Sequence, residues 1–202
     1  MIQSREDYLE YLCEDKKELA RTSNRPGFFD LVWRFEICMR RREYMRNVRL
    51  RKKRNPLFLY LFLLDRYYSF EYRLLSILCG FSIPLNVFGK GLSIAHRGTI
   101  VVNSGARIGS NCRIHVGVNI GTVPGCSDVA PIIGDDVYIG PGAKLYGKIT
   151  IGNGVMIGAN SVVTHSFVDD NIIIAGVPAR KINDIGRYEI EARNRTQYSL
   201  KD

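Results

Sequence analysis

Aliphatic residues recur every six positions through the C-terminal half of this chain, and this period constrains the fold more than any other feature. Glycine follows most of them, and a small or branched residue stands four positions further on. The repeat falls into two phased runs: Val102, Ile108, Ile114 and Ile120, then Ile133, Ile139, Leu145, Ile151, Ile157 and Val163. A period of six predicts a triangular coil, in which three short strands complete one turn of a parallel β-helix around an aliphatic core.

The N-terminal part has a different pattern. Only Gly27 of the 19 glycines precedes residue 80, and helix formers predominate. The predicted helices lie near 3–22, 27–53 and 57–78. In the last of these an apolar stripe recurs at spacings of three and four, which predicts one packed face. The stripe consists of Leu57, Tyr60, Leu61, Leu64, Tyr68, Tyr72, Leu75 and Leu78.

The composition changes near residue 80, so we predict a mostly β chain with an α-helical N-terminal part. Its expected domains are a helical domain over 1–80, a β-helix domain over 81–182 and a tail over 183–202.

The period is broken in two places, and breaks in a regular solenoid often carry function. Ile94 and Ile100 are spaced by six but lie two residues out of phase with Val102, and His96 lies just before this shift. The second break is the polar, turn-rich segment 122–131, which predicts a loop leaving the coil.

The stretch GLSIAHRGTIVV and the terminal stretch IGANSVVTHSFVDDNIIIAGVPARKI resemble the hexapeptide-repeat acyltransferases, and the first of them resembles the serine acetyltransferase branch. The similarity covers roughly Ile83–Ile182. It implies a left-handed parallel β-helix, acetyl-CoA as the acyl donor and a homotrimer with active sites between neighbouring subunits. No metal is expected.

The resemblance places the catalytic histidine of the family at His96. It also implies cofactor contacts along the coil edges, at Gly121, Pro141, Ala159, Thr164 and Arg180.

A neutral imidazole, with an ordinary pKa of about 6.5, is suited to take the proton of an attacking hydroxyl and return it to the leaving sulfur. His96 is therefore the expected general base, although a surface histidine without a role is the alternative. His115 is expected either to support the same site or to pack as a structural residue. Arg97 is a candidate for binding the acceptor, or a solvated arginine.

The chain departs from the serine acetyltransferase pattern at two points. Phe81 stands where the branch has an aspartate that pairs with the histidine, and Val129 and Ala130 stand where it has an Arg-His pair that holds serine. These departures favour acetylation of a sugar hydroxyl, on a carbohydrate precursor of a surface polysaccharide, with free serine a poor acceptor. Serine O-acetylation and a non-catalytic scaffold are the alternatives.

The net charge of +9 is concentrated in residues 34–54, which hold ten Lys/Arg and two Glu. No nucleic-acid module is recognisable, so nucleic-acid binding is not expected. A solvated helix face and contact with an anionic membrane surface both remain open. No signal peptide or spanning segment is recognisable and the five cysteines form no pairing pattern, so a cytoplasmic protein is expected, with the inner face of the membrane open. The helices could also join two trimers.

Overall fold

The computed structural model describes residues 1–49, 58–123, 125–126 and 129–199. Within these residues three helices precede the strands and a fourth follows them. They are α1 (Arg5–Glu18), α2 (Leu31–Tyr44), which continues as a π-helical segment (Met45–Arg49), α3 (Phe58–Cys79) and α4 (Arg187–Ser199).

Local capping sets where the first two helices begin. Ser4 caps α1 in a capping box with Asp7, and the side chain of Asp30 accepts a hydrogen bond from the backbone N–H of Trp33 at the start of α2. The second helix was predicted from residue 27, but it begins at Leu31 because Asp30 is its cap. The first was predicted to run to residue 22 and ends at Glu18. The predicted end of the second helix, at residue 53, lies outside the described residues.

The strands are short and begin directly after α3. They are β1 (Phe81–Ser82), β2 (Ser93–Ile94), β3 (Ile100–Val102), β4 (Arg107–Ile108), β5 (Arg113–Ile114), β6 (Asn119–Gly121), β7 (Ile132–Ile133), β8 (Tyr138–Ile139), β9 (Lys144–Tyr146), β10 (Thr150–Ile151), β11 (Met156–Ile157), β12 (Val162–Val163), β13 (Ile173–Gly176) and β14 (Ala179–Asn183).

These strands form three sheets that the chain visits in turn. The orders are β1-β3-β6-β9-β12, β4-β7-β10 and β2-β5-β8-β11-β13-β14, and the pairs are parallel except β13–β14. Every aliphatic position of the six-residue repeat is buried in one continuous core. Registers such as Ile114↔Ile139 and Ile139↔Ile157 stack like residues in successive coils. The prediction of N-terminal helices followed by parallel sheets is confirmed, while the domain boundaries stay a prediction.

The stripe predicted on α3 is only partly buried. Leu61 and Leu75 pack inward, whereas Tyr60 and Leu78 are exposed, and Leu57 lies outside the described residues. The helix is apolar on nearly all sides, so the sequence pattern could not decide which side faces the core.

Polar groups of the helices bind the first coil. Arg40 is fully buried; its guanidinium pairs with Asp15 and Glu43 and donates hydrogen bonds to the carbonyls of Phe88 and Gly89. The carboxylate of Asp15 accepts from the N–H of Leu92 at 2.8 Å. These bonds satisfy backbone groups that an uncovered first coil would expose.

Within the described part of the chain, no helix is both long and apolar enough to cross a membrane.

Candidate active site

The corner of the coil that contains His96 is longer than its neighbour. Ile94 stacks on Ile114, but Val101 rather than Thr99 stacks on Asn119, so two extra residues enter the turn between β2 and β3. The turn passes through Gly98 at φ +138°, where a Cβ would lie 2.2 Å from a methyl group of Val116. The inserted residues expose the side chain of His96 at the corner.

Three rings of successive coils lie close together here. The ring centroids of His96 and His115 are 6.5 Å apart, and those of His115 and Tyr138 are 4.9 Å apart. His115 follows the inward Ile114, and Tyr138 precedes the inward Ile139 on the next strand of the same sheet. The structure therefore brings the two candidate histidines together on one face.

His115 is half-buried, and its Nε2 is buried without a hydrogen-bond partner among the described residues. Burial lowers the pKa of His115 to about 4, and the charges of Arg113 and His96 act in the same direction. The ring is therefore neutral near pH 7 and lines a cleft close to His96, which suits a supporting residue rather than a general base.

A cleft of about 570 Å³ opens beside His115 and Tyr138. Arg113, Lys17 and Arg195 contribute cationic side chains to its wall. A fourth cation, Arg187, is already paired with Glu18 and Glu191 at 3.1 and 2.9 Å. Both acidic residues of the wall, Glu18 and Glu191, are ion-paired with Arg187. The other cationic side chains leave the cleft with a net positive charge, which suits binding of an anionic group.

The residues predicted to contact the cofactor fall on two different edges. Pro141 and Ala159 each stand two residues after an inward aliphatic of the His96 sheet, so they continue the corner that begins at His96. Gly121 and Thr164 stand one residue after inward positions of the next sheet, on the following edge. All but the half-buried Gly121 are exposed.

Arg180 is exposed in the hairpin of β13 and β14, opposite Ala175. Within the chain the five predicted cofactor residues are therefore not brought together. They occupy two edges and the end of the coil.

Three residues bear on what could orient the His96 ring: Phe81, at the position of the aspartate in the branch, and the polar Asn86 and Asn103; each has contacts elsewhere. Phe81 is buried and packs edge-to-face on Phe35 at 5.0 Å, so its side chain belongs to the core. Asn86 pairs with Asn47, and the Asn103 side chain accepts from the N–H of Gly105.

Arg97 is exposed. Burial raises the pKa of the Cys79 thiol at the end of α3, and the charge of Arg97 partly opposes this shift. Ala130 is buried in the core cluster and Val129 is half-buried. Neither residue of the loop end offers a polar group to an acceptor.

Two residues of the site were missed by sequence reasoning. Arg113 and Tyr138 precede inward aliphatics, in a repeat slot that varies freely in composition. Arg113 lies two residues before His115 along the chain, whereas the stacking of the coils places Tyr138 beside it. A signal was available, because a residue directly before an inward position must face outward on the same sheet. Among the described residues, no group of three or more His, Cys, Asp or Glu could hold a metal ion.

Comparison with known proteins identifies the repeat. Residues 130–165 match the family model described as bacterial transferase hexapeptide (six repeats). The chain is 41% identical over 100 residues to a serine acetyltransferase of Staphylococcus xylosus, covering 49% of this chain and 46% of that protein. It is 33% identical over 131 residues to a serine acetyltransferase of Bacillus subtilis, covering 62% and 60%. The chain thus spans about half the length of these curated relatives.

A solved structure shows the same likeness at the level of the fold. The crystal structure of serine acetyltransferase from Brucella abortus strain S19 in complex with coenzyme A matches with a TM-score of 0.64 at 27% identity, covering 90% of this chain and 70% of that chain. The predicted hexapeptide repeat is confirmed for the matched segment.

The comparisons correct the predicted acceptor. Relatives at 41% and 33% identity are named serine acetyltransferase, so the prediction of a sugar hydroxyl on a polysaccharide precursor, with serine as a poor acceptor, is wrong. That prediction relied on the missing aspartate and the missing Arg-His pair. Those absences describe two positions of the pattern and do not exclude other residues that could hold an amino acid.

Proposed function

We propose that this chain is an acetyl-CoA-dependent serine O-acetyltransferase, built on a left-handed parallel β-helix, with His96 as general base. The observation that carries the proposal is the likeness to relatives named serine acetyltransferase at 41% and 33% identity. The similarity in fold to a serine acetyltransferase solved with coenzyme A supports the same donor.

In the proposed reaction His96 removes the hydroxyl proton of serine while the hydroxyl oxygen attacks the thioester carbonyl. A C–O bond forms and the C–S bond breaks, and the imidazolium returns the proton to the leaving sulfur. The exposed corner position of His96 allows both substrates to reach the ring. His115, kept neutral near pH 7 by its lowered pKa, would line the site beside His96 as a supporting residue.

The positively charged cleft beside His115 and Tyr138 offers a site for the serine carboxylate. Arg113 lies close enough to lower the pKa of His115 by its charge, and its guanidinium donates to Ser93 Oγ at 3.3 Å, which leaves other N–H groups free. A carboxylate held by Arg113 would place the serine hydroxyl on the side of His115 and His96. Lys17 and Arg195 would add to the positive charge of the same wall.

The proposed assembly is a homotrimer. One subunit separates Pro141 and Ala159 from Gly121 and Thr164, on two edges of the coil. In a cyclic trimer one edge of each subunit faces the other edge of its neighbour, so both sets would line one groove for the cofactor. Light scattering should give about three times the 22.9 kDa of one chain.

A thiol-release assay with acetyl-CoA tests the proposal. L-serine should be turned over, while serine methyl ester, which lacks the carboxylate charge, should be a much poorer substrate. Arg113→Met should raise KM for serine about tenfold or more with a smaller change in kcat, the pattern of lost ground-state binding. Exposed Arg5→Met is the matched control. Absence of serine-dependent thiol release from the folded trimer would refute the proposed function.

A further inference from the structure

One outward side of α3 is mostly apolar. Leu61, Leu75 and Cys79 are its buried apolar side, whereas the opposite side is exposed to solvent. The exposed side consists of Leu59, Leu63, Phe70, Leu74 and Ile77, and we call these five residues the α3 face. Ile77 is 79% and Phe70 68% exposed. A group of exposed apolar side chains on one side of a helix marks an interaction surface.

The α3 face has the dimensions and borders of an interfacial helix. At about 1.5 Å per residue, α3 is about 33 Å long. Tyr60 and Tyr67 border the face on one side, and both are exposed. Exposed tyrosines beside an apolar strip are typical of the boundary between water and lipid.

A cationic cleft lies on the other border. Its volume is about 500 Å³, and its wall contains Arg42, Arg46, Arg66 and Arg73 but no acidic side chain. We call it the arginine cleft. Arg66 and Arg73 belong to α3 itself and lie to one side of the α3 face. Arg42 belongs to α2, and Arg46 belongs to the π-helical segment that follows it.

The arginine cleft has an unsatisfied donor. The Arg42 side chain is 7% exposed, and its Nε has no hydrogen-bond partner in the described part of the chain. The nearest acid, Asp65, lies 3.8 Å from Arg42 Nε and 3.9 Å from Arg46 Nε, both too far for a hydrogen bond, and Asp65 Oδ1 is also unpartnered. Asp65 thus lies near Arg42 and Arg46, and the four guanidinium groups of the cleft outnumber it, so an entering anion would find N–H donors and a net positive field.

Guanidinium groups bind phosphate oxygens in pairs of parallel hydrogen bonds. A free phosphate would explain the arginine cleft but not the apolar strip along the same helix. A phospholipid explains both, because its phosphate and its acyl chains lie side by side in the membrane surface.

We propose that α3 lies on an anionic phospholipid surface, with headgroup phosphates in the arginine cleft and the α3 face against the acyl chains. The membrane would then be a binding partner in addition to the substrates. The proposal does not depend on which acceptor the active site acetylates.

Vesicle co-sedimentation of the full chain tests this. We expect binding to phosphatidylcholine vesicles that contain phosphatidylglycerol and little binding to phosphatidylcholine alone. Arg66→Gln with Arg73→Gln should lower the partition coefficient about tenfold or more, since each surface cation contributes to binding an anionic leaflet. Arg5→Gln with Arg25→Gln removes the same charge from exposed positions elsewhere and should have a small effect.

The apolar contribution is tested with Leu63→Ser, Phe70→Ser and Leu74→Ser combined. This variant should lose the binding that persists at high salt. Glycerol phosphate in solution should compete only weakly; strong competition would show a site for free phosphate and overturn the proposal. Equal binding by wild type and both variants would also overturn it.

A second copy of the chain is the competing occupant of the α3 face. The assembly mass of the combined Leu63→Ser, Phe70→Ser and Leu74→Ser variant is compared with that of wild type in the absence of lipid. If the variant has the lower mass and vesicle binding is absent, the α3 face joins copies of the chain and the proposal is wrong. Thiol release in lipid-free buffer is measured in parallel. Loss of vesicle binding with normal serine turnover separates failure of this proposal from failure of the proposed function.

Discussion

Glu36 on α2 accepts a hydrogen bond from the backbone N–H of Ile94 at 3.0 Å, two residues before His96. The carboxyl group is fully buried, and its second oxygen has no hydrogen-bond partner among the described residues. Burial first, and then the charge of Asp15, raise the pKa of Glu36 well above the ordinary glutamate value. The helical segment thus contacts the strand that leads into the candidate active site.

The first prediction concerns this contact. Because the pKa of Glu36 is raised on folding, the folded chain holds the proton more tightly than the unfolded chain, and the contribution of Glu36 to the free energy of unfolding falls as pH rises above the ordinary glutamate pKa. Glu36→Gln should remove this fall and be at least as stable as wild type at pH 7. Glu36→Ala, which leaves the Ile94 N–H unpaired, should lose about 1–3 kcal/mol.

Urea denaturation across a pH series measures both effects. Glu189→Gln, on exposed α4, is the control and should change little. A strongly destabilised Glu36→Gln variant at neutral pH would show that the charged form is needed.

The second prediction concerns His115. Its pKa is lowered to about 4 in the folded chain, so the unfolded chain binds the proton more tightly. The contribution of His115 to the free energy of unfolding is therefore fully present above about pH 6.5 and is lost as pH falls toward about 4. His115→Gln should flatten the acid side of the stability profile, and His165→Gln, at an exposed position, should not. Identical profiles for wild type and His115→Gln would show that the ring is solvated.

The third prediction concerns His96. His96→Ala should lower turnover by about 10² to 10⁴, the usual effect of losing a general base, with little change in coenzyme A affinity. His96→Asn, which can make hydrogen bonds but cannot take the proton, should be similarly slow. Calorimetric titration and thiol release measure the two quantities. Near-normal turnover in His96→Ala together with an inactive His115→Ala would assign the base to His115.

The fourth prediction concerns Gly98. Its φ of +138° disfavours a side chain, and a Cβ would overlap Val116. Gly98→Ala should therefore displace the turn that carries His96 and reduce kcat, with a loss of stability of about 1–3 kcal/mol. Gly27→Ala is the matched control, since a Cβ there has nothing within 4 Å. Equal activity of both variants would indicate that the turn tolerates the shift.

The repeat period predicted most of the coil, because a residue in an inward slot has one possible environment. Val102, Ile120 and Ile139 are buried as the pattern requires, and the longer corner at His96 follows from the two-residue phase shift. The environment of His96 was not predictable. It depends on Tyr138, which reaches His115 only through the stacking of coils.

The helical segment was harder to predict for a different reason. Arg40 lies in the basic segment that suggested a solvated face, yet it is buried against Asp15 and Glu43. Nothing local in the sequence distinguishes it from Arg41, which is half-buried beside Glu71 at 3.7 Å. Only the contact between helix and coil, far apart in the chain, separates the two.

The covering of the first coil by Arg40, Asp15 and Glu36 has a consequence for how copies of the chain can add to one another. A bare coil presents a row of unpaired N–H and C=O groups, which is a template for a further coil and hence for a growing fibre. Here Leu92, Ile94, Phe88 and Gly89 already have partners at the first end, and the antiparallel return of β14 covers β13 at the other. The contacts of the helices at one end and the antiparallel β14 at the other therefore disfavour growth of this sheet along the axis of the solenoid.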